Sequence, residues 1–124
     1  MISINPKDGT VVARYDRTTP AEVTQHIANA DRLQREWMRT DLGTRRSHML
    51  RLADALESRR DELAELMAHE MGKPVAEGRG EVTKCAWACR YYADEAEAIL
   101  ADHHIKTERT KSYVAYRPIG IILA

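Results

Sequence analysis

The most reactive side chains of this sequence belong to two cysteines and to a short motif that contains a histidine. Cys85 and Cys89 are four residues apart, so on a helix both thiols could form half of a metal site or lie beside a reacting atom. Both also belong to an apolar stripe, and free cysteine packs as a small hydrophobe, which favours core packing. The motif that starts at His69-Glu70 has Lys73 where a zinc-binding helix needs a second histidine. The spacing therefore predicts no metal site.

Two glycine-containing segments, residues 72–74 and 78–80, are the candidates for a phosphate-binding loop. Neither fits the pattern G-x-x-x-x-G-K-[ST], and neither fits G-x-G-x-x-G between a strand and a helix. A helix end at Gly72 and close packing of a helix near Gly78 explain these glycines better. The sequence thus predicts no phosphate or dinucleotide site.

The remaining polar clusters are typical of a solvated surface. The histidines at 103–104 lie in a polar stretch without further metal ligands nearby. The arginine pairs at 45–46 and 59–60 are interleaved with acidic residues, so they indicate a solvated helix face and not a phosphate-binding stripe. Trp37 and Trp87 are large side chains of the kind that anchors a core or an interface.

Length and charge exclude several classes of protein. The chain has 124 residues, enough for one domain or part of one, with 19 basic and 19 acidic residues and a formal net charge of zero. A neutral balance argues against a surface dedicated to nucleic acid or to an anionic membrane. The longest apolar run has only six residues, two cysteines make no disulfide framework, and no signal peptide is visible. These features predict a cytoplasmic protein with no nucleic-acid or membrane partner.

The N-terminal residues predict a hairpin followed by a helix. Apolar residues alternate around a Pro6-Lys7-Asp8-Gly9 turn, which is typical of two short strands. Thr19, followed by Pro20 and by Glu22 three residues after it, forms the pattern of a capping box. An apolar residue then recurs every three or four positions, which predicts a first helix that ends near residue 39.

Two longer helices follow, over residues 45–71 and 75–101. Gly72 is placed to end the first of them, and Pro74 to start the second. The alanine-rich composition, with no phenylalanine, predicts that the helices pack closely through small side chains. The predicted apolar stripes are Met49, Leu52, Ala53, Leu56, Leu63, Leu66 and Met67 in one helix, and Val82, Cys85, Ala86, Cys89, Tyr92, Ala93, Ala96 and Ile99 in the other.

The C-terminal part predicts a polar loop and then strands. Residues 102–110 are polar, residues 111–117 alternate like a strand, and Pro118 ends that strand. Residues 121–124 read as the start of a buried strand that no turn or cap closes, so we expect the polypeptide to continue.

Several motifs, taken in order, resemble the N-terminal helices of the aldehyde dehydrogenase superfamily. The stretch 116–124 resembles the run that leads into the Pro-Trp-Asn signature of that family, and residues 4–9 resemble its N-terminal strand-turn-strand. The resemblance covers essentially the whole chain and is greatest to the bacterial succinate-semialdehyde dehydrogenase branch. The helical motifs are Glu70-Met71-Gly72-Lys73-Pro74, Glu81-Val82, Lys84-Cys85-Ala86-Trp87 and Arg90-Tyr91-Tyr92-Ala93.

This resemblance implies an α/β parent fold of the Rossmann type, of which this segment is mostly α, with an N-terminal hairpin and C-terminal strands. It implies an enzyme that uses NAD or NADP to oxidise an aldehyde, such as succinate semialdehyde, to a carboxylic acid. The family's cysteine nucleophile attacks the aldehyde carbon, hydride passes to the nicotinamide and water releases the acid. The nucleophile, the general-base glutamate, the oxyanion-hole asparagine and the cofactor loops match no residue here. The 124-residue chain alone is therefore expected to bind no cofactor and to be inactive.

The resemblance also divides the chain into three parts. Residues 1–110, the hairpin plus three helices, correspond to the outer part of the cofactor-binding domain. Residues 111–120 correspond to an oligomerisation strand, and residues 121–124 to the start of a further strand.

The same resemblance predicts where five residues lie in the complete enzyme. Lys84 and Trp87 are expected to border the mouth of the substrate tunnel, where a small-molecule aldehyde enters. Tyr113, Val114 and Tyr116 are expected to lie in the interface of a homo-oligomer, either a dimer or a tetramer.

Two other interpretations stay open at this point. The chain could be a non-enzymatic helical interaction module from a truncated gene, which its length favours and its open apolar end does not. It could also be a metal-binding helical domain that uses Cys85, Cys89 and a histidine.

Overall fold

The computed structural model describes residues 1–123, which form two short hairpins separated by helices. No helix among these residues combines the length and the apolar character that crossing a membrane requires. The elements in chain order are β1 (Ile2–Ile4), β2 (Val11–Arg14), α1 (Pro20–Trp37), α2 (Leu42–Ser58), α3 (Arg60–Met71), α4 (Val75–Ile99), β3 (His103–His104) and β4 (Tyr113–Val114).

The predicted N-terminal hairpin is confirmed. β1 and β2 pair antiparallel, and Gly9 in the turn between them has a φ of 75°, which favours glycine. Asn5 is buried, and its side-chain oxygen accepts a hydrogen bond from the Lys7 backbone N–H at 2.9 Å. The hairpin lies against α3, where the Ser3 hydroxyl donates to the Glu70 carboxylate at 3.1 Å.

Helix α1 has the predicted N-terminus but no buried residue. The Thr19 backbone N–H donates to the Glu22 carboxylate at 2.7 Å, and the Glu22 N–H donates to the Thr19 hydroxyl at 3.3 Å, which completes the capping box. The apolar face of the helix is about half exposed, from 45% at Val23 to 54% at Ile27. The local sequence therefore determines where this helix forms, but it does not determine which surface packs against its apolar face.

The helix predicted over residues 45–71 is two helices, which corrects the expected three helices to four. Asp41 caps α2, because its carboxylate accepts the Thr44 N–H at 2.8 Å, so the helix starts at Leu42. At Arg59 the backbone leaves helical geometry, with φ −105° and ψ 15°. The Ala55 carbonyl there accepts both the Ser58 hydroxyl at 2.9 Å and the Arg59 N–H at 3.2 Å. A side-chain hydroxyl that competes for a backbone carbonyl slightly destabilises a helix and often bends it.

The core lies where α4 crosses α2 and α3. It is made of small residues, as predicted, but four large members of the predicted apolar stripes are 45% to 57% exposed: Leu52, Leu66, Tyr92 and Ile99. A Cβ added to Gly78 would lie 3.1 Å from both the Cα and the Cβ of Ala64, so the backbones of α3 and α4 are in contact there. Gly80, two residues on, has no atom within 4 Å of an added Cβ. The buried residues of this core are Ala53, Ala64, Gly78, Val82, Ala86 and Ala93.

Ion pairs connect the same helices at the rim of the core. The Arg90 guanidinium on α4 donates to Asp54 at 3.0 Å and to Glu57 at 2.7 Å, both on α2. Arg46 on α2 donates in the opposite direction, to Asp94 on α4 at 2.7 Å. Because these pairs are largely exposed, they add little stability.

The C-terminal part differs from the prediction in two ways. The segment expected to be a polar loop contains β3, and the strand expected over residues 111–117 is limited to β4, which pairs with β3. The alternation of side chains within residues 111–117 predicts a strand but not the strand that pairs with it. That partner, β3, consists of two histidines in a polar run, so it carries no strand pattern of its own. The strand expected over 121–124 is not observed in residues 121–123, where no described strand pairs with it, and Ala124 lies outside the described residues.

Candidate functional site on helix α4

The side of α4 that faces away from the core carries four residues that share one stripe. They lie at intervals of four, three and four residues, which keeps them on one side of a helix. We call this stripe the α4 outer face. It consists of Gly80, Lys84, Trp87 and Tyr91.

Two aromatic rings form the apolar part of the α4 outer face. Trp87 is 63% exposed, and its ring stacks on that of Tyr91 with 5.8 Å between centroids and 25° between planes. Tyr91 in turn meets Tyr92 edge to face at 5.3 Å. Offset and edge contacts of this kind are the favourable geometries for aromatic side chains. The rings therefore form an exposed but ordered apolar wall.

One free cation lies beside these rings. Of the three basic residues on α4, Arg79 donates to Asp61 at 2.8 Å and Arg90 to two carboxylates of α2. Lys84 is exposed, and among residues 1–123 it has no carboxylate within ion-pair distance. Among residues 1–123, the Lys84 ammonium on the α4 outer face thus has no ion-pair partner and lies next to an apolar wall.

The paired cations change the pKa values of the groups that hold α4 in place. The Arg79 guanidinium lowers the pKa of the Asp61 carboxyl through a hydrogen bond and its charge. The hydrogen bonds with Asp54 and Glu57 raise the pKa of Arg90. The contacts that connect α4 to α3 and α2 thus lower the pKa of Asp61 and raise that of Arg90.

The structure places the two residues expected near the substrate tunnel together. Lys84 and Trp87 are one helical turn apart on the α4 outer face, and Trp87 is not a member of the predicted apolar stripe of this helix. The sequence did not single out Tyr91, although its position four residues after Trp87 on a helix was the available signal.

The expectation that both cysteines pack in the core is wrong for Cys85. Cys85 is exposed, while Cys89 is partly buried, and both thiols are free. The buried residues next to Cys85 on α4 are Val82 and Ala86. Within residues 1–123 no group of three or more histidine, cysteine or acidic residues is close enough to hold a metal ion, so the structure gives the metal-site interpretation no support.

The residues expected at an oligomer interface lie on or just after the β3–β4 hairpin. Tyr113, Val114 and Tyr116 are 42%, 47% and 54% exposed. The Tyr113 ring is covered on one side by the Lys111 ammonium at 4.9 Å and contacts His104, whose ring centroid is 5.7 Å away. The hairpin therefore presents an apolar edge with basic neighbours.

The described residues lack the local pattern of a dinucleotide-binding fold. A dinucleotide fold needs parallel strands and a glycine-rich turn into a helix. Within residues 1–123 both sheets are antiparallel pairs of strands, and no turn between a strand and a helix carries the glycine pattern.

Comparison with known proteins decides the family. The sequence profile of the aldehyde dehydrogenase family matches residues 1–124. This chain belongs to the aldehyde dehydrogenase family. The resemblance predicted from the helical motifs is thereby confirmed, and the comparisons give no support to an interaction module from a truncated gene.

Relatives of this aldehyde dehydrogenase chain include succinate-semialdehyde dehydrogenases that use NADP⁺. A probable succinate-semialdehyde dehydrogenase [NADP(+)] of Synechocystis sp. is 39% identical over 122 residues, which cover 98% of this chain and 27% of that protein. Succinate-semialdehyde dehydrogenase [NADP(+)] 1 of Mycobacterium bovis is 38% identical, with the same coverage. The chain thus spans about a quarter of the length of these relatives.

The solved structures agree on the fold. A succinic semialdehyde dehydrogenase from Streptococcus pyogenes, in complex with NADP⁺, superposes with a TM-score of 0.86 at 30% identity. The match covers 92% of this chain and 25% of that one. The mostly helical arrangement described above is therefore that of a segment of the α/β aldehyde dehydrogenase fold.

Proposed function

We propose that this chain is the N-terminal quarter of an NADP-dependent aldehyde dehydrogenase that oxidises succinate semialdehyde to succinate. In the overall reaction, aldehyde, NADP⁺ and water give carboxylic acid, NADPH and a proton. The observation that carries the proposal is the match over almost the whole chain to the first quarter of succinate-semialdehyde dehydrogenases that use NADP⁺.

In this proposal the segment contributes to the substrate entrance and to the subunit contact, and the residues that oxidise the aldehyde lie in the rest of the enzyme. Residues 1–110 form the outer part of the cofactor-binding domain, with Lys84 and Trp87 at the entrance of the substrate tunnel. An exposed ammonium and an ordered aromatic wall on one helix face support that position. They are the kind of sparse polar and apolar lining found in small-molecule sites.

The β3–β4 hairpin and the residues after it belong to the subunit contact of a homo-oligomer in the same proposal. Residues 111–120 supply the oligomerisation strand, and residues 121–124 begin the strand that follows. The exposed apolar edge at Tyr113, Val114 and Tyr116 supports this position. A cytoplasmic location completes the proposal, and the two free thiols are consistent with a reducing compartment.

The test is an intact-mass measurement followed by an activity assay on the same sample. The proposal expects a mass several times 14.1 kDa under denaturing conditions, and reduction of NADP⁺ that depends on succinate semialdehyde. A mass of 14.1 kDa would contradict the proposal. So would a larger protein that reduces neither NADP⁺ nor NAD⁺ when succinate semialdehyde is added.

A further inference from the structure

The charges that follow the middle of α4 are separated by sign along the chain. Residues 94–102, which we call the acidic segment, carry four carboxylates and no lysine or arginine. Residues 103–117, which we call the basic segment, carry four cations and one carboxylate. The residues of both groups are exposed. They are Asp94, Glu95, Glu97 and Asp102 in the acidic segment, and Lys106, Arg109, Lys111 and Arg117 in the basic segment.

The two segments are neighbours in the chain, yet they form no ion pairs with each other within residues 1–123. Asp94 pairs with Arg46 on α2, and the other three carboxylates of the acidic segment have no ion-pair partner among these residues. The four cations of the basic segment also lack one in this part of the chain, and the Lys111 ammonium lies over the Tyr113 ring instead. Both segments therefore present charge to whatever binds there.

The acidic segment lies where a helix disfavours carboxylates. Asp94, Glu95 and Glu97 belong to the last two turns of α4, and the last turn contains no basic residue. The C-terminus of a helix carries a partial negative charge, so lysine and arginine are the favoured residues there. Asp94 and Glu97 are also three residues apart, so two like charges are neighbours on the helix surface. A helix end that gathers negative charge against these local rules is typical of a binding surface for a cationic partner.

A second copy of this chain offers such a partner. In a two-fold contact between identical subunits, one patch meets a different patch of the partner, and the same contact occurs twice. We propose that the acidic segment of each subunit binds the basic segment of the other in the homo-oligomer. Contact between two basic segments would instead bring like charges together. This inference rests on the homo-oligomer of the proposed function, and it names the surface that the β3–β4 hairpin meets.

The test reverses the charge of one segment at a time in the complete enzyme. One variant is Glu95→Lys/Glu97→Lys, and the other is Lys106→Glu/Arg109→Glu. Each variant alone places like charges against each other at both symmetric contacts, so the Kd for subunit association should rise by about tenfold or more. An equal mixture of the two variants brings opposite charges together again. It should therefore form mixed oligomers with a Kd close to that of the unmodified enzyme.

The measurement is sedimentation velocity over a series of protein concentrations. One exposed charge changes a Kd only a few-fold, so particle size at a single concentration is too coarse a measure. Added salt should raise the Kd of the unmodified enzyme, since exposed charges are screened. Lysines suit the C-terminus of a helix, so Glu95→Lys/Glu97→Lys should weaken association without loss of helical circular dichroism.

A matched control makes the same charge change elsewhere. Glu65→Lys/Glu77→Lys replaces two exposed carboxylates outside both segments, and it should leave the Kd unchanged. An equal rise of the Kd in this control would assign the effect to net charge and would contradict the proposed contact.

The outcomes separate this inference from the proposed function. If the complete enzyme is an oligomer whose Kd is the same in both charge-reversal variants, the two segments face solvent or the rest of their own subunit, and only this inference is overturned. If the unmodified enzyme is a monomer, the proposed oligomer fails and this inference fails with it. If the enzyme oxidises no aldehyde but associates with the expected charge dependence, the proposed reaction fails and the subunit contact stands.

Discussion

Helix α1 has the better-defined beginning, yet of the two helices α1 and α4 only α4 buries residues. Helix α1 has a complete capping box and a regular apolar face, and it buries no residue. Helix α4 has no side-chain cap, and it carries most of the core because its glycine and alanines let α2 and α3 approach closely. Caps decide where a helix starts, whereas side-chain volume at the crossing point decides whether two helices can pack.

The largest effect should come from filling the contact between α3 and α4. Gly78→Val puts a branched side chain where an added Cβ already lies 3.1 Å from Ala64. We expect a loss of about 1–3 kcal/mol in the free energy of unfolding, the usual result of overpacking. Urea unfolding measures it. The matched control is Gly80→Ala, which meets open space and should be neutral or stabilising; equal losses for both variants would contradict the close contact at Gly78.

A charge in the C-terminal hairpin should change assembly and not folding. In the proposed oligomer, Val114→Asp places a carboxylate in the subunit contact, so light scattering should report a smaller particle, with the far-ultraviolet circular dichroism unchanged. Thr110→Asp, at the exposed turn of the same hairpin, is the control and should keep the original size. An oligomer of unchanged mass in the Val114→Asp variant would remove this hairpin from the interface.

A smaller effect should follow from removing an ion pair between helices. Arg90→Ala breaks the contacts with Asp54 and Glu57 that connect α4 to α2. The urea midpoint should fall slightly, because the pairs are exposed. Arg32→Ala breaks the exposed pair with Glu36 within α1, at 3.4 Å, and should leave the midpoint where it was. If Arg32→Ala lowered the urea midpoint more than Arg90→Ala does, the ion pair within α1 would matter more for stability than the pairs between α4 and α2, which would contradict this prediction.

The smallest effect concerns the capping box of α1. Hydrogen bonds from Thr19 lower the pKa of Glu22 below its ordinary value of 4.5. Because the folded pKa is the lower one, the ionised carboxylate stabilises the cap at any pH above 4.5, and this stabilisation is lost as the pH falls through the folded value. Backbone ¹³Cα shifts of the first turn of α1 should follow that loss. Glu22→Gln should abolish the pH dependence, and an unaltered titration in that variant would assign it to another group.

The features that sequence could predict were those set by neighbours in the chain. The turn at Gly9, the cap at Thr19 and the end of α3 at Gly72, where φ is 70°, all depend on residues within a few positions. The break at Arg59 was missed because no proline or glycine marks it and the apolar stripe continues across it. The exposure of Cys85 and the pairing of β3 with β4 were missed because both depend on contacts between distant segments.

In the candidate site, too, the sequence predicts what depends on neighbours in the chain and not what depends on distant contacts. The positions of Lys84 and Trp87 followed from motifs, and the helical period placed them on one face. That Lys84 has no ion pair within residues 1–123 could not be predicted, because it depends on which residues Arg79, Arg90 and Glu81 pair with in three dimensions.

The small residues at the helix crossing also determine how stability responds to temperature. Alanine and glycine lose no side-chain rotamer freedom on folding, and each exposes little apolar area when the chain unfolds. The heat-capacity increment of unfolding follows the newly hydrated apolar area, so it should be low for a segment of this length. A low increment flattens the curve of free energy against temperature, and the contact between α3 and α4 should therefore weaken gradually on both cooling and warming.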